Sequence, residues 1–240
     1  MGLAIYKEGL AGAELPHPPI SLPIFLVVEE ALCVAWDYLR TRPRSGFNLL
    51  SATEDVITQE LHERLLDEIF NEGIVDGFDR QLFTFVMRES KVRNYDGANL
   101  DKMPDLIIGL SDRLNVFRRS QDGLFIECKP VDPGHSAGVH YCDKGIIRFV
   151  HGEYAWAMTS ALMIGYVRNG YNISSKLVKA LEEHGREVTT IALPRPCQRS
   201  NPGKHNEVVH VSRHSRTFSY IETGQRAPAI TIRHLWLRRD

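Results

Sequence analysis

Two short apolar runs, close together in the chain, carry charged residues where a buried strand should carry none. The first run spans residues 106–110 and follows Asp105, and the second spans residues 124–126 and precedes Glu127 and Lys129. Apolar runs of this length, rich in Ile, Leu and Phe, predict strands. Because side chains alternate across a strand, Glu127 and Lys129 share one face. Pairing of the two strands would bring two carboxylates and one amine within reach of one point.

Carboxylates that converge on an apolar wall repel each other unless a cation lies between them. A hard divalent ion such as Mg2+ takes oxygen ligands of this kind. Beside such an ion, Lys129 would orient or help to deprotonate a water and stabilise negative charge that develops at phosphorus. The pattern therefore predicts phosphodiester hydrolysis. Taken singly, the same residues also fit an exposed ion pair at the strand ends, which would contribute little stability.

The order Pro104-Asp105, a spacer, then Glu127-Cys128-Lys129 resembles the PD-(D/E)XK nuclease superfamily, the restriction-endonuclease-like fold. Both halves of the motif fall on successive predicted strands with a polar, turn-forming connection. The resemblance covers about residues 50–168. It implies Mg2+ as the cofactor, with Mn2+ as a substitute. It also implies catalytic roles for Asp105, Glu127 and Lys129, and a metal shell made of Asp105, Glu127 and the backbone carbonyl of Cys128.

The predicted order of elements in the middle of the chain is helix, three strands, helix, strand. The segments are a helix near 51–70, strands at 82–87, 105–110 and 124–129, a helix near 141–159 and a strand at 162–167. This order is the one that the resemblance implies for the superfamily core, a mixed sheet with helices on both faces. The sequence thus predicts an α/β fold with a nuclease core over residues 49–170.

Two additions flank the predicted core. Residues 1–48 form an N-terminal helical extension, with a Pro-rich stretch that leads into a helix at 24–40. Residues 171–240 form a basic C-terminal α+β addition packed on the same domain. It holds an amphipathic helix at 174–184 and strand-like runs at 188–193, 208–211 and 230–237. The sequence does not indicate the partners of these strands.

A third acid is predicted from the helix near residue 51. The resemblance implies a Glu from the first core helix at the metal, and Glu54 fits because it shares a helical face with Ile57 and Leu61. Ser51-Ala52-Thr53-Glu54 is equally typical of a capping box, in which Glu54 would bond back to the cap backbone. Glu60 is the substitute candidate for the third acid.

Cationic residues on the helix after Lys129 predict a phosphate contact. Tyr141, Lys144 and Arg148 recur at spacings of three and four, which places them on one face of an α-helix. Lys144 and Arg148 would bind a phosphate beside the cut, with Arg148 offering two parallel donors. A solvent-facing cationic stripe explains the same spacing.

Charge is distributed unevenly along the chain. The whole protein carries −1, but residues 186–240 hold ten Lys or Arg against four acids, so this part is +6 and residues 1–185 are −7. Such asymmetry is typical of an acidic catalytic centre beside a basic surface that binds a phosphate backbone, although solvated arginines explain the same count. The predicted nucleic-acid contacts are Arg88, Lys91, Arg93, Arg213, His214 and Arg216.

The composition also limits which class of protein and which kinds of site the chain can have. A chain of 240 residues that is 43% hydrophobic and 25% charged predicts an ordinary globular protein. Four scattered cysteines without a C-x-x-C pair indicate reduced cytoplasmic thiols. Acids interrupt the apolar stretch at 24–39, so we expect no membrane partner and no targeting segment. A zinc site in the tail is a rival, but the spacing of its ligands matches no known motif; they would be Cys197, His205, His210, His214 and His234.

The function predicted from the sequence is a Mg2+-dependent deoxyribonuclease, endo- or exonucleolytic, in a restriction or defence setting. A ribonuclease effector with the same site, and a non-cleaving nucleic-acid-binding accessory subunit, are the alternatives. The expected partner is nucleic acid, with DNA favoured over RNA. A homodimer would suit two cuts across a duplex, and a subunit of a larger complex is the other arrangement predicted.

Overall fold

A computed structural model of the protein describes residues 15–197 and 208–240, which form one mixed sheet with helices on both faces. The α-helices are α1 (Leu22–Thr41), α2 (Glu54–Glu63), α3 (Ile147–Val150) and α4 (Val178–Glu182). The π-helical segments are Arg64–Phe70, Ala137–Ile146 and Ile173–Leu177, and a 3-10 turn spans Asp112–Leu114. The strands are β1 (Phe83–Arg88), β2 (Leu106–Leu110), β3 (Gly123–Val131), β4 (Ser160–Val167), β5 (Thr190–Pro196), β6 (His210–His214) and β7 (Ile230–Arg238). Within these ranges no helix has the length and apolar character needed to cross a bilayer.

The seven strands are arranged in the order β1-β2-β3-β4-β7-β6-β5. Strands β1, β2 and β3 form an antiparallel meander, and β4 then pairs parallel to β3 after the helical crossover formed by residues 137–150. A parallel pair requires such a crossover because the chain must return to the starting edge of the sheet. The α/β class and the predicted order of helix, three strands, helix and strand are therefore confirmed.

The two faces of the sheet are covered by different helices. On one face, Trp36 of α1 stacks on Tyr166 of β4 at a centroid distance of 5.6 Å, and Thr58 of α2 bonds to the same tyrosine hydroxyl. On the other face, the crossover helix packs on β4, where the Tyr141 hydroxyl donates to the carbonyl of Met163. Burial of both faces accounts for the nearly continuous apolar sequence of β2, β3 and β4.

The crossover helix differs from its prediction in two ways. It begins at Ala137 and ends at Val150, whereas the sequence predicts residues 141–159. Its first ten residues are π-helical, with a wider turn than an α-helix, so spacings of three and four no longer mark one face. Tyr141 is consequently buried while Lys144 is exposed, and the predicted common face is wrong.

A loop replaces the predicted last turns of this helix. Gly152 has a φ of +68° and Ala155 a φ of +53°, values that an α-helix cannot contain. The loop is nevertheless buried, because the guanidinium of Arg216 donates to the carbonyls of Ala155, Trp156 and Met158. Arg216 therefore fixes the path of the chain between the crossover helix and β4.

The C-terminal addition belongs to the same sheet. Strand β7 pairs parallel to the whole length of β4, and β6 and β5 follow β7 in antiparallel order. Arg233 on β7 forms an ion pair with Glu29 of α1 at 2.5 Å, and Arg239 donates to the carbonyls of Leu49 and Ala52. Several arginines of the basic tail thus hold the addition against the core and do not form a free cationic surface.

Candidate active site

A notch opens where strands β2 and β3 separate. Their pairing ends at Leu106 and Ile126, so the backbone of β3 beyond this point lacks a neighbouring strand on the β2 side. The amide of Cys128 instead donates to Oδ2 of Asp105 at 2.6 Å, and its carbonyl accepts from the ammonium of Lys129 at 2.7 Å. Side chains therefore satisfy the buried backbone groups that a longer strand would otherwise pair.

The ammonium of Lys129 lies among three carboxylates. Its Nζ is 2.8 Å from Glu54 Oε1, 2.9 Å from Glu127 Oε1 and 3.6 Å from Asp105 Oδ2. The acids come from three elements: the first residue of α2, the residue before β2, and β3 itself. The side chains that the sequence predicts to converge thus do so, and Glu54 joins them.

Glu127 is the most deeply buried acid of the group, with a side chain only 2% exposed. Its Oε2 accepts a hydrogen bond from the hydroxyl of Tyr154, and its Oε1 lies 3.5 Å from Nε of Arg148. Burial and the nearby Asp105 carboxylate raise the pKa of Glu127 to about 7, although Lys129, Arg148 and Tyr154 oppose the shift. Near neutral pH this carboxyl is therefore balanced between its charged and neutral forms, as expected at a functional site.

Burial and neighbouring charges also shift the pKa values of Lys129 and Glu54. Burial alone would lower the pKa of Lys129, but the carboxylates of Glu127, Asp105 and Glu54 raise it above its usual value. Burial raises the pKa of Glu54, against the effect of Lys129. Lys129 is consequently a cation at neutral pH, and it donates hydrogen bonds in this arrangement.

The start of α2 tests one of the two roles predicted for Glu54, the capping box. Thr53 is the capping residue, with its side chain accepting from the amide of Val56, and Glu54 is the first helical residue. The predicted capping box starting at Ser51 is therefore wrong, since Glu54 is too early in the helix to close it. Glu60, the substitute candidate, lies 3.8 Å from Arg44 and makes its ion pair there.

The donor atoms at the notch are oxygens of Asp105, Glu127 and the Cys128 carbonyl. Among residues 15–197 and 208–240, no group of three or more His, Cys, Asp and Glu side chains is arranged to hold a metal ion. This includes the described part of the predicted tail zinc site, and His205 lies outside those ranges. In the same region His214 and His234 both bond to the hydroxyl of Ser212 at 2.7 Å.

The predicted nucleic-acid contacts occupy different environments. Arg148 reaches the candidate site, and Lys144 is exposed one turn earlier on the same helix. Lys91 and Arg213 are exposed, whereas Arg88 donates to Gln59 at 2.7 Å. The predictions for Arg216 and His214 are wrong, because both side chains are buried and bonded inside the protein. The remaining predicted contact is Arg93, which is exposed.

Sequence reasoning missed Tyr154 as a member of the site. Its ring is held between Phe125, at a centroid distance of 6.3 Å, and Phe149, at 5.1 Å, so its hydroxyl has little freedom. Tyr154 falls in a stretch predicted as helix, and no local pattern links it to Glu127. The sequence signal for Tyr154 is weak: it is an aromatic residue that follows Gly152 by two positions.

The chain matches no protein-family model, no curated protein and no solved structure. The interpretation of the site therefore depends on its own residues and geometry.

Proposed function

We propose that the protein is a metal-dependent nuclease that hydrolyses phosphodiester bonds in DNA. The observation that carries the proposal is the convergence of Asp105, Glu127 and Glu54 on the ammonium of Lys129, which also donates to the carbonyl of Cys128. Three carboxylates against one lysine and one arginine leave the site with an excess of negative charge. A buried acid excess of this kind favours a bound cation.

The donor set suits Mg2+ with Mn2+ as a substitute. Mg2+ is commonly bound by one or two carboxylates, with water and substrate phosphate completing its shell. Asp105, Glu127 and the Cys128 carbonyl would hold it, and all three supply oxygen. When bound, the ion would neutralise charge on the phosphate and make a coordinated water more acidic. The raised pKa of Glu127 supports this assignment, because a nearby cation would stabilise the ionised carboxylate.

The other side chains of the site would position the reacting groups. Lys129, as a cation, would donate a hydrogen bond to the attacking water or to the phosphoryl oxygen, and so position the two for in-line displacement. Glu54 holds the lysine at this point through its 2.8 Å contact. Tyr154 orients Glu127, and Arg148 lies where it can contact a neighbouring phosphate.

The topology supports the same proposal. The resemblance implies a core of helix, three strands, helix and strand, with its acids on the second and third strands. The protein has α2, β1, β2, β3, the crossover helix and β4 in this order. Asp105 directly precedes β2, and Glu127 lies in the middle of β3, next to the last residue that pairs with β2. A restriction-endonuclease-like core is thus the architecture that we propose.

The test is incubation of the purified protein with plasmid, linear duplex, single-stranded DNA and RNA in Mg2+, Mn2+ or EDTA. A Glu127→Ala, Lys129→Ala double variant serves as the inactive control. We expect DNA cleavage by the wild type in Mg2+ and Mn2+ only, and none by the double variant. Cleavage that persists in EDTA or in the variant would overturn the mechanism. Cleavage of RNA alone would overturn the choice of DNA, and binding without any cleavage would show a non-catalytic protein.

A further inference from the structure

An open groove lies on the sheet beside the candidate site. It has a volume of about 260 Å³ and runs between residues 90–92 and residues 119–123. Its apolar lining includes Phe85, Met87 and Ile107 from β1 and β2, and Met87 is 41% exposed. This volume is slightly below the ~300–1,000 Å³ of pockets for drug-sized ligands, so it suits a single flat ring system.

The floor of the groove depends on a glycine. Phe85 pairs with Gly109 across β1 and β2, and a Cβ at position 109 would lie 2.4 Å from the Phe85 ring. The ring therefore occupies the space directly over the backbone of β2, which a side chain at position 109 would otherwise take. An aromatic ring in this place offers a stacking surface, and such surfaces bind unpaired bases regardless of their identity.

One of the residues that line the groove has an unsatisfied polar atom. Gln121 lines the groove and is only 3% exposed, and its Oε1 is buried without a hydrogen-bond partner among the described residues. A buried acceptor of this kind is costly unless a donor reaches it. Every nucleobase that pairs through Watson–Crick bonds carries an N–H donor, and an unpaired base has that donor free.

Two cations border the apolar floor. Lys91 pairs with Asp101 at 2.8 Å and Arg119 with Asp112 at 3.0 Å, and all four side chains are largely exposed. Exposed pairs of this kind contribute at most about 1 kcal/mol, so a phosphate can readily compete for either cation. An apolar floor, a buried acceptor and cations at the rim together match a nucleotide: ring, N–H and phosphate.

The groove and the candidate site face the same side of the sheet. Phe125, which lines the groove, and Glu127 are alternate residues of β3 and therefore point to one face, about 7 Å apart along the strand. Tyr154 joins them directly, because its ring stacks on Phe125 and its hydroxyl donates to Glu127. Phe85 lies further from Glu127, because it pairs with Gly109, which in turn pairs with Gly123, four residues before Glu127.

We infer that the groove binds one unpaired base of the DNA strand whose backbone lies at the candidate site. The base would stack on Phe85, with its N–H donating to Gln121 and its neighbouring phosphates near Lys91 and Arg119. The inference rests on the proposed function and adds a substrate class to it: DNA that is single-stranded, or locally opened, beside the cut.

The test measures binding in EDTA, where no cleavage can occur. Fluorescence anisotropy would compare a labelled poly-thymidine strand, an abasic strand of equal length and a blunt duplex, with the full-length wild type and with Phe85→Ala, Gln121→Met and Met87→Ala. We expect the wild type to bind poly-thymidine more tightly than either other probe. Phe85→Ala should weaken poly-thymidine binding by about 5- to 150-fold, as expected for loss of one stacking contact. Gln121→Met should weaken it by about fivefold.

The abasic strand makes the test specific for the groove. If the variants act through a bound base, their effect on abasic DNA should be close to zero, as in a double-mutant cycle. Leu100→Ala is the matched control, since it truncates an exposed apolar residue that does not line the groove. Gln121→Met and Met87→Ala keep the test decisive if Phe85→Ala fails to fold.

Different results would overturn the groove inference and the nuclease function. Equal losses on poly-thymidine and abasic DNA, or equal binding of duplex and single strand by every variant, would overturn the groove inference even if the wild type cleaves DNA in Mg2+. Base-dependent losses without any cleavage in Mg2+ would support the groove and contradict the nuclease function.

Discussion

Buried charges occur in two regions of the protein, and they are compensated differently. In the C-terminal addition, Arg233 is paired with Glu29, and Arg216 donates to three backbone carbonyls. At the candidate site, Glu54, Asp105 and Glu127 outnumber the cations that face them. In the first region each of these arginines is bonded to a carboxylate or to backbone carbonyls, whereas the second region has more acids than cations.

This difference separates charges that hold the fold from charges that are available for chemistry. A charge with its partners in place stabilises one arrangement, and its removal leaves the partner buried and uncompensated. An acid excess costs stability in the protein alone and is relieved when a cation binds. Loss of a C-terminal arginine should therefore affect folding, whereas neutralising an acid at the site should affect activity.

The largest effect on folding is expected from Arg233→Met. The substitution leaves Glu29 buried without its ion-pair partner, which typically costs about 3–5 kcal/mol. For a protein of this size each kcal/mol lowers Tm by about 2–4 °C. Calorimetry should show this fall, with cleavage unchanged at temperatures where the variant is folded. Adding Glu29→Gln should recover part of the lost stability. An unaltered Tm for Arg233→Met would contradict the claim that the C-terminal arginines hold the fold.

Glu127→Gln should have the opposite effect on stability. The folded pKa of Glu127 is raised from 4.5 to about 7, so between these values the folded state binds the extra proton and stability falls as pH rises. Above pH 7 the substitution should stabilise the protein by up to about 3 kcal/mol, since one pKa unit corresponds to about 1.4 kcal/mol. Urea unfolding of the wild type and the variant at pH 4.5 and pH 8 measures this difference in stability. A variant that is less stable than wild type at pH 8 would show that the carboxylate holds the fold.

Tyr154→Phe should reduce activity without large loss of packing. The ring remains between Phe125 and Phe149, but Glu127 loses a hydrogen bond of the charged type, worth about 1.5–3 kcal/mol. Cleavage should fall by about 10- to 100-fold. Because the hydroxyl lowers the pKa of Glu127, the rise of activity with pH should also move to higher pH in the variant. An unshifted pH profile would mean that Tyr154 only fills space.

Glu54→Gln gives the smallest expected effect and tests the third acid. The amide can still accept from Lys129, so the change replaces a charge-assisted bond with a neutral one, a difference of about 1 kcal/mol or about fivefold in cleavage. Stability should stay close to wild type, because Thr53 caps the helix; Thr53→Ala should instead lose about 1 kcal/mol. Unchanged cleavage by Glu54→Gln would leave this acid a structural role alone.

Local rules in the sequence account for the centre of the site. The apolar runs predict β2 and β3, and the alternation of side chains places Glu127 and Lys129 on one side of β3 with Asp105 across from them. The same rules predict the order of helices and strands as far as β4. These inferences need only a few neighbouring residues each.

The parts that were missed depend on contacts between distant residues or on unusual local geometry. Tyr154 reaches Glu127 from a loop whose path is held by Arg216, far along the chain. Tyr141 and Lys144 face different environments because the helix is π-helical there. The basic composition of the tail does not distinguish Arg233, which is buried in an ion pair, from Arg213, which is exposed on β6.

The most direct test of the central claim is the rate of DNA cleavage by Asp105→Asn against Mg2+ concentration. Asparagine keeps the shape and an acceptor for the Cys128 amide but removes one charge from the acid excess. We predict Mg2+-dependent cleavage by the wild type and a loss of about 10²- to 10⁴-fold in the variant, within the range for removal of a group that acts in the transition state. Its Tm should stay close to wild type. Cleavage by the variant at the wild-type rate, or wild-type cleavage that is independent of Mg2+, would contradict it.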